Sequence, residues 1–239
     1  MKNYTKALLM IPKIRFLLVF LGTFIILAGC KKDEESTPTF SQVMFIHAIP
    51  DVGPMDLFID ESSASSNIGF GSATEYHEVP AGNHRITATL AASINEKVNT
   101  SHAFDGDKKF SVVAFNTNAQ PQSIVIPDTV ATPASGKFWV RYINLSPASN
   151  NASYVIRVDG STALFEFGTR SYKTASNYRE YDAGAYTFNA VNINAATSSN
   201  AATTGEISFE GGKIYTLVLT GTESGTAPLN LQLTAVANK

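Results

Sequence analysis

Val43-Met44-Phe45-Ile46-His47-Ala48-Ile49-Pro50 returns 97 residues later as Val140-Arg141-Tyr142-Ile143-Asn144-Leu145-Ser146-Pro147. Each is a β-prone run closed by proline, a residue that ends a ladder because it donates no hydrogen bond. Further echoes keep the same order. Ile59-Asp60 is matched by Val158-Asp159, and Phe70-Gly71 by Phe167-Gly168. Tyr76 through Ala81-Gly82 is matched by Tyr178 through Ala183-Gly184, and Lys109-Phe110-Ser111-Val112-Val113 by Lys213-Ile214-Tyr215-Thr216-Leu217. The spacing widens from 97 through 102 to 104, as it does when loops lengthen in a second copy. Ordered self-similarity of this kind is an internal duplication. Each copy is about the size of one β-sandwich, roughly a hundred residues.

Outward from these runs, short segments rich in Val, Ile, Phe, Tyr and Thr alternate with turns such as Pro80-Ala81-Gly82-Asn83 and Glu210-Gly211-Gly212. No helical periodicity follows Cys30. The pattern predicts an all-β chain of two tandem antiparallel β-sandwiches, immunoglobulin- or transthyretin-like. The expected boundaries are a first domain at 41–130, a linker at 131–136 and a second domain at 137–239, each copy with its own core. Strands are expected in the first copy near 42–49, 54–60, 67–71, 74–79, 84–91, 98–104, 109–116 and 122–127. Asn192 to Gly205 is almost free of large apolar side chains and is expected to be an exposed loop.

Residues 1–29 carry Lys2, Lys6, Lys13 and Arg15 and no acid, ahead of a 14-residue apolar run from Phe16 to Gly29. A membrane-spanning helix needs ~20 such residues, so this reads as a signal peptide. Leu27-Ala28-Gly29-Cys30 resembles the bacterial lipobox, which makes Cys30, the only cysteine, the expected lipidation site. The membrane is then a partner through the acyl chains of Cys30. Residues 30–40 read as a lipidated flexible tether. Within it Lys31, Lys32, Asp33, Glu34 and Glu35 resemble the lipoprotein export signal of Bacteroidetes. That resemblance implies an outer-membrane lipid anchor exposed at the cell surface; the alternative is a periplasm-facing one. After residue 29, twenty acids against fourteen bases give −6, which argues against a nucleic-acid partner.

Candidate chemistry is sparse. His47 and Asp56 flank one expected hairpin and are read as a structural polar pair, a buried imidazole held by a carboxylate. His77, Glu78 and His84 flank the Pro80–Asn83 turn and are weak zinc candidates, since the second copy has Arg179, Glu180 and Tyr186 there. No metal or other cofactor is expected. Asp105-Gly106-Asp107 has too few carboxylates for calcium and reads as a turn. Trp139, the only tryptophan, is read as packing against the first copy rather than as a sugar platform. Asp128-Thr129-Val130 resembles the O-glycosylation motif of Bacteroidetes, with Thr129 as acceptor. No Gly-x-Ser-x-Gly, P-loop or His-Glu-x-x-His motif is present.

The repeat resembles the bacterial family called domain of unknown function 4397, DUF4397. The first copy carries Phe45, His47-Ala48, Pro50-Asp51, Asp56, Phe58, Asp60, Phe70-Gly71, Tyr76 and Pro80-Ala81-Gly82. The second keeps Pro147, Asp159-Gly160, Phe167-Gly168, Tyr178, Ala183-Gly184 and Tyr215-Thr216, and departs with Asn144 for His47 and Val155 for Asp56. The resemblance implies a β-sandwich on envelope or surface proteins and carries no catalytic residues. The expected function is non-catalytic binding or adhesion toward a glycan or protein, the alternative being a structural spacer; an enzyme ranks third.

Overall fold

In the first repeat, β1 (Phe40–Ala48) lies between β4 (His77–Pro80) and β7 (Lys109–Thr117), and β8 (Gln120–Pro127) closes that sheet. A second sheet runs β3 (Ser62–Ile68), β2 (Met55–Ile59), β5 (Gly82–Leu90), β6 (Glu96–Phe104). The second repeat has the same plan. β9 (Lys137–Asn144) lies between β15 (Ile214–Thr220) and the short β11 (Thr174–Ala175) and β12 (Arg179–Asp182), with β16 (Gln232–Asn238) at the far edge. Its other sheet is β10 (Tyr154–Val158), β13 (Gly184–Asn192), β14 (Asn200–Phe209). This is a computed structural model, and it describes residues 38–128, 130–147, 154–160, 167–194 and 200–238. The residues read above as signal peptide, lipobox and export signal, Cys30 through Glu35 included, lie outside them, as does Thr129. Among the described residues no helix is long and apolar enough to cross a membrane.

The fold is all-β, two sandwiches in tandem. Pairing is antiparallel except at one place in each: β1 runs parallel to β7, and β9 runs parallel to β15. The registers of these pairs fix which residues correspond. Val43 faces Phe110 and Val140 faces Tyr215, so Ser111 corresponds to Thr216. The sequence echo placed Ser111 against Tyr215, one residue out. In a strand that slip exchanges the faces. A second echo also shifts. Gly71 N–H donates to His47 O, and Lys173 N–H donates to Asn144 O, both at 2.8 Å. Gly71 therefore corresponds to Lys173, not to Gly168. Lys173 holds φ of 63°, where Gly71 holds 74°.

Two strands differ from expectation. β3 covers Ser62–Ile68 where a strand at 67–71 is expected, because Ser62-Ser63-Ala64-Ser65-Ser66 has little strand propensity. Asp60 and Glu61, with φ of 48° and 67°, make the two-residue hairpin that folds it back onto β2. β14 takes up part of the expected loop 192–205, because Asn200, Ala202 and Thr203 pair with Val191, Ala190 and Asn189 of β13 as a sheet edge.

Alternate residues of a strand face opposite sides. In β1, Val43 and Phe45 enter the first core with Leu57, Ile86 and Val112. In β9, Phe138, Val140 and Tyr142 enter the second core with Phe188 and Leu217. Most of the intervening residues are apolar too. Met44, Ile46, Val113, Phe115 and Ile126 meet Ile143, Leu145, Val218 and Val236 in a third core. The sheets built on β1 and β9 thus pack on each other through their outer faces. Each such side chain contributes about 1.5–3 kcal/mol by leaving water. The cores are therefore not wholly separate, and Pro38–Lys239 forms one compact unit.

Candidate functional site

Where the two sheets meet, one ion pair sits inside the apolar seam. Arg141 on β9 and Asp128, just past β8, approach to 2.5 Å with side chains 1% and 2% exposed. A buried pair holds only if its remaining hydrogen-bonding capacity is met. Here it is. Asp128 Oδ2 accepts from Ser111 Oγ at 2.6 Å and from the Tyr76 hydroxyl at 2.8 Å. The Tyr178 hydroxyl approaches Oδ1 at 3.4 Å. Arg141 donates to Pro127 O, Ser111 Oγ and Thr216 Oγ1, and its guanidinium lies 4.9 Å from the Tyr178 ring centre. Burial pushes the hydroxyls of Tyr76 and Tyr178 well above the usual tyrosine range, so both remain donors to the carboxylate.

These residues are counterparts. Tyr76 answers Tyr178, and Ser111 answers Thr216. Ile126 faces Ser111 as Val236 faces Thr216, so Asp128 answers Asn238, two residues further on. Met44 answers Arg141. Both tyrosines turn toward Asp128 and have the Asn238 side chain beside them. The seam is a quasi-symmetric pairing of duplicated faces, with charge introduced once on each side. Sequence reasoning missed the pair. An arginine inside Phe138-Trp139-Val140-Arg141-Tyr142-Ile143 was the available signal, since a charge in an apolar strand needs a buried partner.

Beside this node a cleft of about 640 Å³ opens between the repeats. Trp139, Arg141, Asn177 and Tyr178 line one wall, and Pro127 and Val130 the other. Trp139 is half-buried; its Nε1 is shielded from solvent and finds no hydrogen-bond partner among the described residues, so what the cleft sees is the ring. An aromatic ring beside an exposed amide suits a ligand with an apolar face and polar edges.

The residues singled out in the sequence are dispersed. His47 and Asp56 do not pair. His47 is buried, accepts from Ile49 N–H at Nδ1 and donates from Nε2 to Gly53 O, 3.3 and 3.1 Å. Burial lowers its pKa, which keeps the ring neutral in that role. Asp56 instead accepts the backbone amides of Asn67 and Ala92, which hold its carboxyl below the usual range. The reason is topological: His47 and Asp56 belong to different sheets. His77, Glu78 and His84 are not brought together either. His77 Nε2 meets Ser65 Oγ, and Glu78 points to solvent. His84 is bound to Asp60 Oδ2 and Pro80 O. The Arg85 amide, then His84, hold the Asp60 carboxyl below its usual range. Among the described residues no three His, Cys, Asp or Glu are grouped to hold a metal. Asp105 is paired with Lys108 at 2.7 Å beside a turn.

Comparison with known proteins gives one family and several distant likenesses to solved structures. None of the curated proteins compared matches the chain. A carbohydrate-binding module of family CBM26 from Eubacterium rectale Amy13K, solved with maltoheptaose, is 9% identical over 84% of this chain and 96% of its own, with a TM-score of 0.26. The Bacillus anthracis TIE protein is 10% identical over 76% of this chain and 33% of its own, with a TM-score of 0.24. No functional argument rests on likeness that remote. The family model described as Domain of unknown function (DUF4397) matches twice in tandem, at residues 41–154 and 148–238, and together the matches span nearly all of the chain after the tether: the chain belongs to the DUF4397 family.

Proposed function

We propose that this protein is a non-catalytic binding module held on the cell envelope by acylated Cys30, with its ligand seat in the seam cleft at Trp139. The observation that carries the reading is the half-buried Trp139 ring in the wall of that cleft, with the exposed Asn177 amide beside it. The cleft's volume is within the ordinary range for small-ligand sites, about 300–1,000 Å³. The Arg141–Asp128 network behind it fixes the wall, so little ordering cost accompanies binding. The ligand class that fits best is a glycan, whose ring faces stack on an indole while its hydroxyls meet the Asn177 amide. Under this reading Lys31–Glu35 directs the protein to the outer face of the outer membrane.

Trp139 is the only tryptophan, so its emission reports the cleft directly. Glycan-array hits titrated onto the full-length protein in detergent micelles are expected to shift that emission saturably. An array without hits and a silent tryptophan would contradict the binding reading. That outcome favours the second reading, a rigid spacer, which the buried ion pair between the repeats supports. Replacing Lys31 through Glu35 with Ala/Ser is expected to protect the protein from proteinase on intact cells. Cys30→Ser is expected to abolish detergent partitioning.

A further inference from the structure

The seam holds a second cleft in line with the first. It has a volume of about 370 Å³ and is lined by Lys97, Asn99, Gln122, Ser123 and Lys173 among others. Both clefts border β8 and the segment 173–178, and β6 residues 97–100 close the second one alone. On the first repeat, Pro121–Ser123 border one and Ile126–Pro127 the other. On the second repeat, Lys173 borders one and Ala175–Tyr178 the other. Three residues of extended chain separate Ser123 from Ile126, roughly 10 Å along β8. A linear ligand lying against β8 therefore meets both clefts in succession.

The chemistry of the second cleft differs from that of the first. It presents two ammonium groups and no carboxylate among its lining residues. The nearest acid in sequence, Glu96, is engaged by Arg85 at 3.6 Å and by the Asn99 amide. Lys173 occupies a left-handed backbone position where the first repeat has Gly71. A lysine held there, in a conformation that non-glycine residues rarely adopt, points to a task for its side chain. Its ammonium lies 5.1 Å from the Tyr172 ring centre and 5.8 Å from that of Phe115, across the seam. Those rings position it at the mouth without neutralising it.

We infer that the seam binds an acidic oligosaccharide, one sugar stacked on Trp139 and the carboxylates of neighbouring units on Lys97 and Lys173. This rests on the binding reading at Trp139 and adds the ligand's charge and its linear extent.

The test compares an oligogalacturonate with a neutral gluco-oligosaccharide of equal length, titrated onto the full-length protein and followed by Trp139 emission and calorimetry. The acidic chain is expected to bind more tightly, and its affinity to fall as salt rises from about 0.05 to about 0.5 M. Lys97→Gln and Lys173→Gln are each expected to weaken it about tenfold, the worth of one charge-assisted contact, and to leave the neutral chain unaffected. Unchanged near-ultraviolet circular dichroism checks that both variants keep the fold. Equal affinity for the two saccharides, or indifference to both lysine variants, overturns the inference and leaves the Trp139 site standing. Binding of a poly-glutamate peptide in place of either saccharide also overturns it. Silence toward every probe removes the binding reading itself.

Discussion

The two repeats share one fold but divide its chemistry between them. At the seam the first supplies Met44, Ser111 and Asp128; the second supplies Arg141, Thr216 and Asn238 at the corresponding places. Two identical faces would bury every charge twice. Duplication removes that constraint, because one copy can carry the cation and the other the anion. A buried pair of this kind adds little net stability over an apolar contact, but it penalises every misaligned packing. The same division recurs at the first strand. His47 accepts Ile49 N–H and donates to Gly53 O, as Asn144 accepts Ser146 N–H and donates to Arg170 O. An imidazole and a carboxamide do one job, but only the imidazole titrates.

The strongest way to break the comparison is to make the repeats alike. Arg141→Met places the first repeat's residue in the second and strands Asp128 without its counter-charge. A loss of about 3–5 kcal/mol is expected in denaturant unfolding. Adding Asp128→Asn removes the orphaned charge, and the double variant is expected to recover most of that loss. A double variant no better than Arg141→Met alone would mean that the two side chains do not act as a pair.

The paired tyrosines sharpen it. Tyr76 donates to Asp128 at 2.8 Å, whereas Tyr178 stands at 3.4 Å. Tyr76→Phe is expected to cost about 1.5–3 kcal/mol, as for a bond to a charged group, and Tyr178→Phe distinctly less. Equal costs would show that the carboxylate is shared evenly.

His47→Asn copies the second repeat into the first. Burial lowers the folded pKa of His47, so the unfolded chain binds the proton more readily. The stability tied to this ring is complete above the ordinary histidine range, about 6.5, and is lost as pH falls from there toward the lowered folded value. Urea midpoints across that window are expected to decline less in the variant than in the wild type. Parallel declines would assign the acid sensitivity elsewhere.

The smallest effect concerns Lys173. Lys173→Gly relieves a left-handed lysine but loses its cation–π contacts and adds unfolded-state entropy. These terms offset, and stability is expected to stay within about 0.5 kcal/mol. A large loss would make Lys173 a structural residue and weaken its assignment to a ligand.

Much of the fold was legible because it is periodic. The echo of Val43–Pro50 in Val140–Pro147 revealed the duplication, and β-prone runs between turns revealed the class. The seam was hidden by the same period. Apolar residues on both faces of β1 and β9 announce burial on both sides, but not by what. Arg141 and Asp128 lie 13 residues apart in sequence yet join different sheets, and only topology brings them together. The echo of β7 in β15 is one residue out because Lys109, the first residue of β7, aligns by eye with Lys213, which lies just before β15. His47 and Asp56 suggested a pair by type and spacing, while their hydrogen bonds went to the backbone.

The central claim is that the seam makes the two repeats one cooperative unit, and differential scanning calorimetry of the full-length protein tests it most directly. The account expects a single transition whose calorimetric and van't Hoff enthalpies agree, shifted as a whole by Arg141→Met. Two resolved transitions, with Arg141→Met moving only one of them, would contradict it.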